Sequence, residues 1–513
     1  CGEEILKLDT VPPEVLALVI PPERLLLLFR VSKGLRQVLE ALSNQNCTGH
    51  KKGDSSTPLA ISLTLRPLRL RPPSPSALQP FSPSSPQPLS PSAAQDLSVL
   101  PSALVALVSK ARLVSFSSNR NKLPKEIVGT LIPQLLSSPS ASALRSLDLS
   151  QCMGGQTCAS LLSRHLPALT SLTMISLDSC FITAKGATAL AQTIGFCTAL
   201  IQINLGNNDM KDSGVDAISG ALGRSVGLSC LQLRENGMQA DGILALKAVI
   251  LRHRRTLAVL DLFGNPLNSE GAMLLASCLS QCYSLQTLNL GYCHMQDRGL
   301  ISIAAGLKET SCLCILRILC LRENGIRSEG MSFLAPALGQ CAALTSLDLF
   351  RNSLGLDGVE HLCSVMAKCT RLMKLNLGYN GLGAEGTKAL AESLAGFHPQ
   401  LTELQLQNNG IGEDGAKWLA MAVAHCTRIG LLDLGCNGLR CSGFMELTPA
   451  LGRCCELKTL DLGNNSIKTG ASTLAEALKN CTSLLHLRLK GNHLGNEEGK
   501  LQEQFSATCT LYL

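Results

Sequence analysis

The chain has 513 residues, 45% of them hydrophobic, and a formal net charge of +7; this length suits several conventional domains or one repeat array. Residues 1–143 hold 15 Lys+Arg against 9 Asp+Glu, leaving 30 against 29 beyond Ala143, and only 3% of residues are aromatic. That balance argues against nucleic-acid binding, which needs a basic stripe to release counterions. No apolar run reaches the ~18 residues of a membrane span, and no secretory signal is visible. The chain opens on Cys1 rather than Met, which leaves the natural N-terminus and any upstream targeting segment open.

Residues 1–42 contain two short helical patterns, bracketed by Val11-Pro12-Pro13-Glu14-Val15-Leu16 and Val31-Ser32-Lys33-Gly34-Leu35-Arg36. The segment resembles an F-box, which opens with a Leu-Pro-x-Glu run and closes with Val-x-Lys-x-x-Arg. The resemblance implies docking onto a ubiquitin-ligase adaptor through residues 8–42. Here the helix connection is short and Leu35 stands where the motif often has tryptophan. The alternative is a small amphipathic helical pair with no ligase partner. Residues 43–96 are rich in Pro and Ser, as in Arg71-Pro72-Pro73-Ser74-Pro75, and read as a disordered or extended linker.

Residues 97–143 read as an N-terminal cap, with Leu113 to Leu123 as a degenerate repeat. From Leu144 a pattern L-x-x-L-x-L-x-x-N-x-L returns with first positions at 144, 172, 200, 228, 257, 285, 316, 344, 372, 401, 429, 457 and 484. Most steps are 28 or 29 residues; the exceptions are 31 before Leu316 and 27 before Leu484. Thirteen units at so constant a spacing, spanning residues 144–495, specify a leucine-rich-repeat solenoid. Residues 496–513 read as a C-terminal cap.

Within each unit the fourth and sixth positions, such as Leu375 and Leu377, share one face of a strand, while Asn376 and Gly378 face outward. The ninth is Asn in ten units, whose amide can satisfy loop backbone between stacked units; Cys152, Cys180 and Cys293 replace it elsewhere. Gly at the fifteenth, from Gly186 to Gly443, is expected where the chain turns into a helix. Runs such as Thr387–Leu394 then place Leu390 and Leu394 on one helical face. Parallel strands sit roughly 4.8 Å apart and packed helices roughly 8–10 Å, so the array is expected to bend into a horseshoe. The fold class is therefore α/β, with a parallel sheet on the concave face and α-helices on the convex face.

The repeats resemble the ribonuclease-inhibitor-type subfamily, over about residues 111–513. Related arrays occur in ribonuclease inhibitor, Ran GTPase-activating protein and NOD-like receptors. A cysteine three residues before the first leucine fits too: Cys197, Cys282, Cys341, Cys369, Cys426, Cys454 and Cys481. Equivalent helix positions roughly 8–10 Å apart are too distant for disulfides, so these are expected to be buried thiols of a reducing compartment, cytoplasmic or also nuclear. A longer period, about 85–88 residues, overlies the first: Asn204, Asn289 and Asn376 at the fifth position, then Gln232, Cys320 and Gln405, then Asp261, Asp348 and Asp433. Tandem duplication accounts for it.

No catalytic constellation is marked, and no cofactor or metal is expected. The P-loop pattern is absent, Gly381 to Lys388 offering Gly386-Thr387-Lys388 instead. Cys312, Cys314 and Cys320 lack metal-ligand spacing with histidines. Arg252-His253-Arg254-Arg255 reads as surface favoured by a helix dipole, and Trp418 as helix packing. The candidate binding residues are outward positions seven and eight: Arg234, Glu235, Phe263, Tyr292, Arg322, Glu323, Phe350, Arg351 and Tyr379. Arginine and aromatic residues dominate protein interface hot spots; the competing reading pairs them with one another across the sheet.

The leading expectation is a non-catalytic interaction scaffold or receptor for a protein partner, with no nucleic acid and no membrane. Alternatives are an F-box-type substrate receptor of a cullin-based ubiquitin ligase, and a small-GTPase regulator resembling the Ran activator, although a long acidic tail is lacking. The nearly neutral repeats also disfavour a ribonuclease-inhibitor role.

Overall fold

The computed structural model describes residues 6–7, 60–64, 112–117, 125–137, 139–152, 154–309, 315–397, 400–495, 498–505 and 509–513. The helices expected between Val11 and Arg36 lie outside them, as do residues 43–59 and 65–96 of the expected linker. Inside that linker, however, Ala60–Thr64 is a strand, parallel to Arg112–Ser117 with Leu63 opposite Phe116. The alternation of Ile61 and Leu63 with Ser62 and Thr64 supports an extended chain; the surrounding Pro and Ser obscured it. Leu6–Lys7 pairs with the same strand.

Two compact units divide the chain, residues 1–230 and 231–513. In the first, Arg112–Ser117, Ser146–Asp148, Met174–Ser176 and Gln202–Asn204 pair in parallel. Each is followed by a helix: Lys125–Leu136, Gly155–His165, Ala184–Ile194 and Lys211–Leu222. In the second unit a parallel ladder runs from Val259–Asp261 to Thr510–Tyr512. Its helices run from Ala240–Arg252 to Glu498–Phe505. This is an α/β leucine-rich-repeat solenoid: a parallel pairing requires a crossover, and the helix supplies it in each repeat.

Register follows from burial. Leu347, Leu375, Leu404, Leu432, Leu460 and Leu487 are partners in turn, and all are buried. A slip of one residue would turn this row outward. The long step before Leu316 leaves the register intact, since Leu319 still opposes Leu288; the extra residues lie outside the strand. The short step before Leu484 coincides with an eight-residue helix, Ala471–Leu478. Within the expected C-terminal cap, Thr510–Tyr512 extends the ladder, because Leu511 opposes Leu487.

The ninth-position asparagines form a hydrogen-bond ladder. Asn380 Nδ2 donates to the carbonyls of Leu349 and Leu377 at 2.9 and 3.0 Å. Asn409 Oδ1 accepts from the amide of Asn380 at 2.9 Å, and Asn352 Oδ1 from those of Asn324 and Ile326. Each side chain thus satisfies backbone of its own repeat and of the preceding one. Cys293 keeps half of this role, its Sγ donating to the Leu262 carbonyl.

The fifteenth-position glycines are not turn residues. Gly358 and Gly443 lie inside helices Gly355–Met366 and Arg440–Leu451. A Cβ on Gly443 would come within 2.9 Å of Ala416 Cβ and 3.1 Å of Glu413 Cα, and one on Gly299 within 3.0 Å of Ala272 Cβ. Close packing of neighbouring helices, rather than backbone conformation, requires glycine there.

Candidate protein-binding surface

The nine candidate residues all lie in the second unit, on the strand side of the repeats opening at Leu228, Leu257, Leu285, Leu316, Leu344 and Leu372. The fifth position sets up the bend that displays them. Asp348 Oδ1 accepts the amide of Phe350 at 3.0 Å, and Asn376 Oδ1 that of Gly378 at 3.1 Å. These short loops turn the chain out of the strand, as Asx turns do. Burial holds the Asp348 carboxyl above its usual range.

The next bend is more demanding. Every eighth position has a left-handed backbone: φ is 51° at Glu235, 55° at Tyr292, 54° at Glu323, 50° at Arg351 and 57° at Tyr379. That region costs an L-residue ~1–2 kcal/mol, with Gly exempt and Asn tolerant. In the other repeats this position is Asn207, Asn408, Asn464 or Gly491, as conformational energy prefers, or the small or uncharged Gln151, Ser179 and Cys436, and within the six it is once Gly264. Charged and aromatic residues stand there only in the five repeats just named. Glu235, Tyr292, Arg351 and Tyr379 are exposed, the tyrosines by 43% and 41%.

Side chains on adjacent strands meet. Phe263 stacks on Tyr292 at 6.4 Å between ring centres, and Phe350 meets Tyr379 edge-on at 5.2 Å. Arg322 lies over the Phe350 ring at 4.6 Å. Its guanidinium is 3.4 Å from one carboxylate oxygen of Glu323, and Arg351 is 3.4 Å from the other. Glycines make room: a Cβ on Gly291 would strike Arg322 Cγ and the Phe263 ring at 2.7 and 2.8 Å, and one on Gly264 the Glu235 carboxyl carbon at 2.4 Å. The face therefore carries a layer of rings and guanidinium groups that touch across adjacent strands, stacked at Phe263 and edge-on at Phe350.

Two residues of this layer carried no sequence signal. His294 sits 5.0 Å from Tyr292, ring to ring, and Gln407 covers Gly378. Both lie outside the seventh- and eighth-position pattern of the six repeats, but Gln407 occupies the seventh position of the following one.

Other singled-out residues fall elsewhere. His253, in the basic run after helix Ala240–Arg252, is buried, and Arg254 donates to the Leu251 carbonyl at the helix end. Trp418 is half-exposed with Lys388 Nζ 4.8 Å from its ring centre, so it is a surface residue and not core packing. Cys312 and Cys314 lie outside the described residues; Cys320 Sγ contacts Asp348. Among the described residues the seven cysteines preceding the first leucines are buried thiols outside any disulfide. Burial raises the thiols of Cys197, Cys369 and Cys426 to about 11, which makes them inert rather than nucleophilic. No helix among the described residues is long and apolar enough to cross a membrane.

Residues 196–219, 253–276, 281–304, 340–363, 368–391, 398–420 and 480–497 match the family model Leucine Rich repeat. No curated protein matches the chain. Among solved structures, it is similar to a leucine-rich-repeat protein of Leptospira interrogans, with 19% identity, 80% of this chain and 98% of that one covered, and a TM-score of 0.42. An internalin of Listeria monocytogenes is also 19% identical, with 67% and 81% covered and a TM-score of 0.36.

Proposed function

We propose that the chain is a non-catalytic protein-interaction scaffold whose contact surface is the strand side of the repeats from Leu228 to Leu372. Leucine-rich repeats generally serve this role. The observation that carries the reading here is the eighth position. Five of six consecutive repeats place Glu, Tyr or Arg on a backbone suited to Gly or Asn, where the described repeats outside this stretch have only Asn, Gly, Gln, Ser or Cys. Local strain of this kind is retained where the side chain serves something other than folding. Rings braced by guanidinium groups and ion pairs are preorganised, so little side-chain entropy is lost when a partner lands on them.

Repeat lengths of 28 and 29 residues, with the cysteine before the first leucine, favour the ribonuclease-inhibitor-type subclass. Abundant free thiols among the described residues favour a reducing compartment such as the cytoplasm. A photo-crosslinking residue at Tyr379, and a control at Trp418, tests the surface in cell extract. Specific adducts from the first site only, lost on Phe350→Ala, support it; equal labelling from both sites overturns it.

A further inference from the structure

The binding face carries the same constellation twice. Arg234, Glu235, Phe263 and Tyr292 occupy seventh and eighth positions of three successive repeats, and Arg322, Glu323, Phe350 and Tyr379 occupy the same positions three repeats on. Both sets form a ring pair across adjacent strands. They differ at one place in the block, where Gly264 corresponds to Arg351, an arginine held at φ 50° where glycine is free of strain. Duplication of a three-repeat block accounts for the recurrence but does not explain why the exposed residues stayed the same in both copies. Beyond the second copy the array departs from the pattern, with Asn408, Cys436 and Asn464 at the eighth position.

Each copy presents an exposed tyrosine, with its hydroxyl donor, beside a phenylalanine ring. In the second copy Arg351 is exposed as well, and the Glu323 carboxylate is engaged by Arg322 and Arg351. Such a surface suits a segment with carbonyl acceptors, few amide hydrogens and flat apolar rings. Proline-rich chain in the polyproline II conformation has these properties, and its stiffness lowers the entropy lost on docking. Three strand spacings separate equivalent residues by about 14 Å. At about 3.1 Å per residue, a run of five prolines or more reaches both copies.

We infer that the two copies are twin subsites for one extended proline-rich segment of a partner, engaged together. This rests on the strand side being the binding face. The chain's four tyrosines, Tyr283, Tyr292, Tyr379 and Tyr512, make the test direct. The full chain is labelled with fluorotyrosine, its resonances are assigned by single Tyr→Phe substitutions, and a proline decapeptide or tripeptide is added. The decapeptide should shift Tyr292 and Tyr379 together, leave Tyr283 and Tyr512 in place, and bind at least about tenfold more tightly than the tripeptide. Disabling one copy with Phe263→Ala, or with Tyr292→Asn, which suits the local backbone, should bring the decapeptide down to the tripeptide's affinity. Movement of only one of the two resonances, equal affinity for both lengths, or no response to the decapeptide overturns the inference. A partner crosslinked through Tyr379 whose capture is unchanged by Phe263→Ala would refute twin subsites while leaving the binding face itself standing.

Discussion

Arg322 lies flat over Phe350, its guanidinium carbon 4.6 Å from the ring centre, while the same group reaches Glu323 at 3.4 Å. The arginine is thereby held in one orientation on the strand face by a neighbour on the next strand. A cation over a partly exposed ring contributes ~0.5–1 kcal/mol, too little to matter greatly for folding in an array of this size.

Arg322→Lys should separate the two roles. Lysine keeps the charge but loses the planar group that stacks and forks. Unfolding free energy should change by less than about 1 kcal/mol. Crosslinking yield through a probe at Tyr379 should fall several-fold. A large stability loss with unchanged capture would mean that the contact serves the fold.

Tyr379→Asn tests the left-handed position. Asparagine tolerates φ near 57°, the angle found there, and the exposed ring contributes only its contact with Phe350 to stability. Stability should stay level or rise by up to about 1 kcal/mol, while capture of the partner drops. Denaturant unfolding measures the first and crosslinking through a probe at Tyr292 the second; a clear destabilisation would contradict the strain argument.

The asparagine ladder predicts graded losses. Asn352→Ala removes donors to the Leu321 and Leu349 carbonyls and the acceptor for the Asn324 and Ile326 amides. Leaving these buried groups unmatched should cost about 3 kcal/mol or more. Asn352→Cys should cost less, because Cys293 shows that a thiol can reach the corresponding carbonyl. Equal losses for the two variants in urea melts would sink this account.

Two glycines inside helices should respond in opposite directions. Gly443→Ala drives a methyl group against Ala416 and the Glu413 backbone, at a cost of about 1–3 kcal/mol. Gly220 lies within Lys211–Leu222 with open space where its Cβ would stand. Gly220→Ala should therefore stabilise by about 0.5–1 kcal/mol. Thermal melts of both variants settle the matter, and a shared sign would refute the packing explanation.

Asp433 supplies a pH dependence. Burial, and then the neighbouring Asp461 carboxylate, push its carboxyl from 3.8 up to about 6. The folded state therefore holds this proton more tightly than the unfolded chain. The resulting stabilisation is complete below pH ~4 and is lost as pH rises through ~6. Asp433→Asn keeps an acceptor for the Gly435 amide, as Asn376 does for Gly378, and removes the charge. It should stabilise by about 1–2 kcal/mol at pH 8 and have little effect at pH 4; the reverse order in paired urea melts would disprove the burial argument.

The sequence by itself determined the repeat unit, the inward rows of leucine and the ladder position of asparagine. Each depends on a period of two along a strand or on stacking of identical units, and both are written in one dimension. It also marked the strand-side positions, because an outward residue is one that the core does not use. Position within the chain could not say why glycine recurs at the fifteenth place, since close approach of the next helix is a contact between residues about 28 apart. Nor did Tyr292 or Tyr379 reveal a left-handed backbone, although Asn207 and Asn464 at the same place hinted at it. Only tertiary structure decided that Arg322 and Phe350 share one surface, that His294 and Gln407 join it, and that the ring pairs recur. Those relations arise when separate strands come within about 5 Å of one another, and a linear pattern of residue types carries no record of that distance.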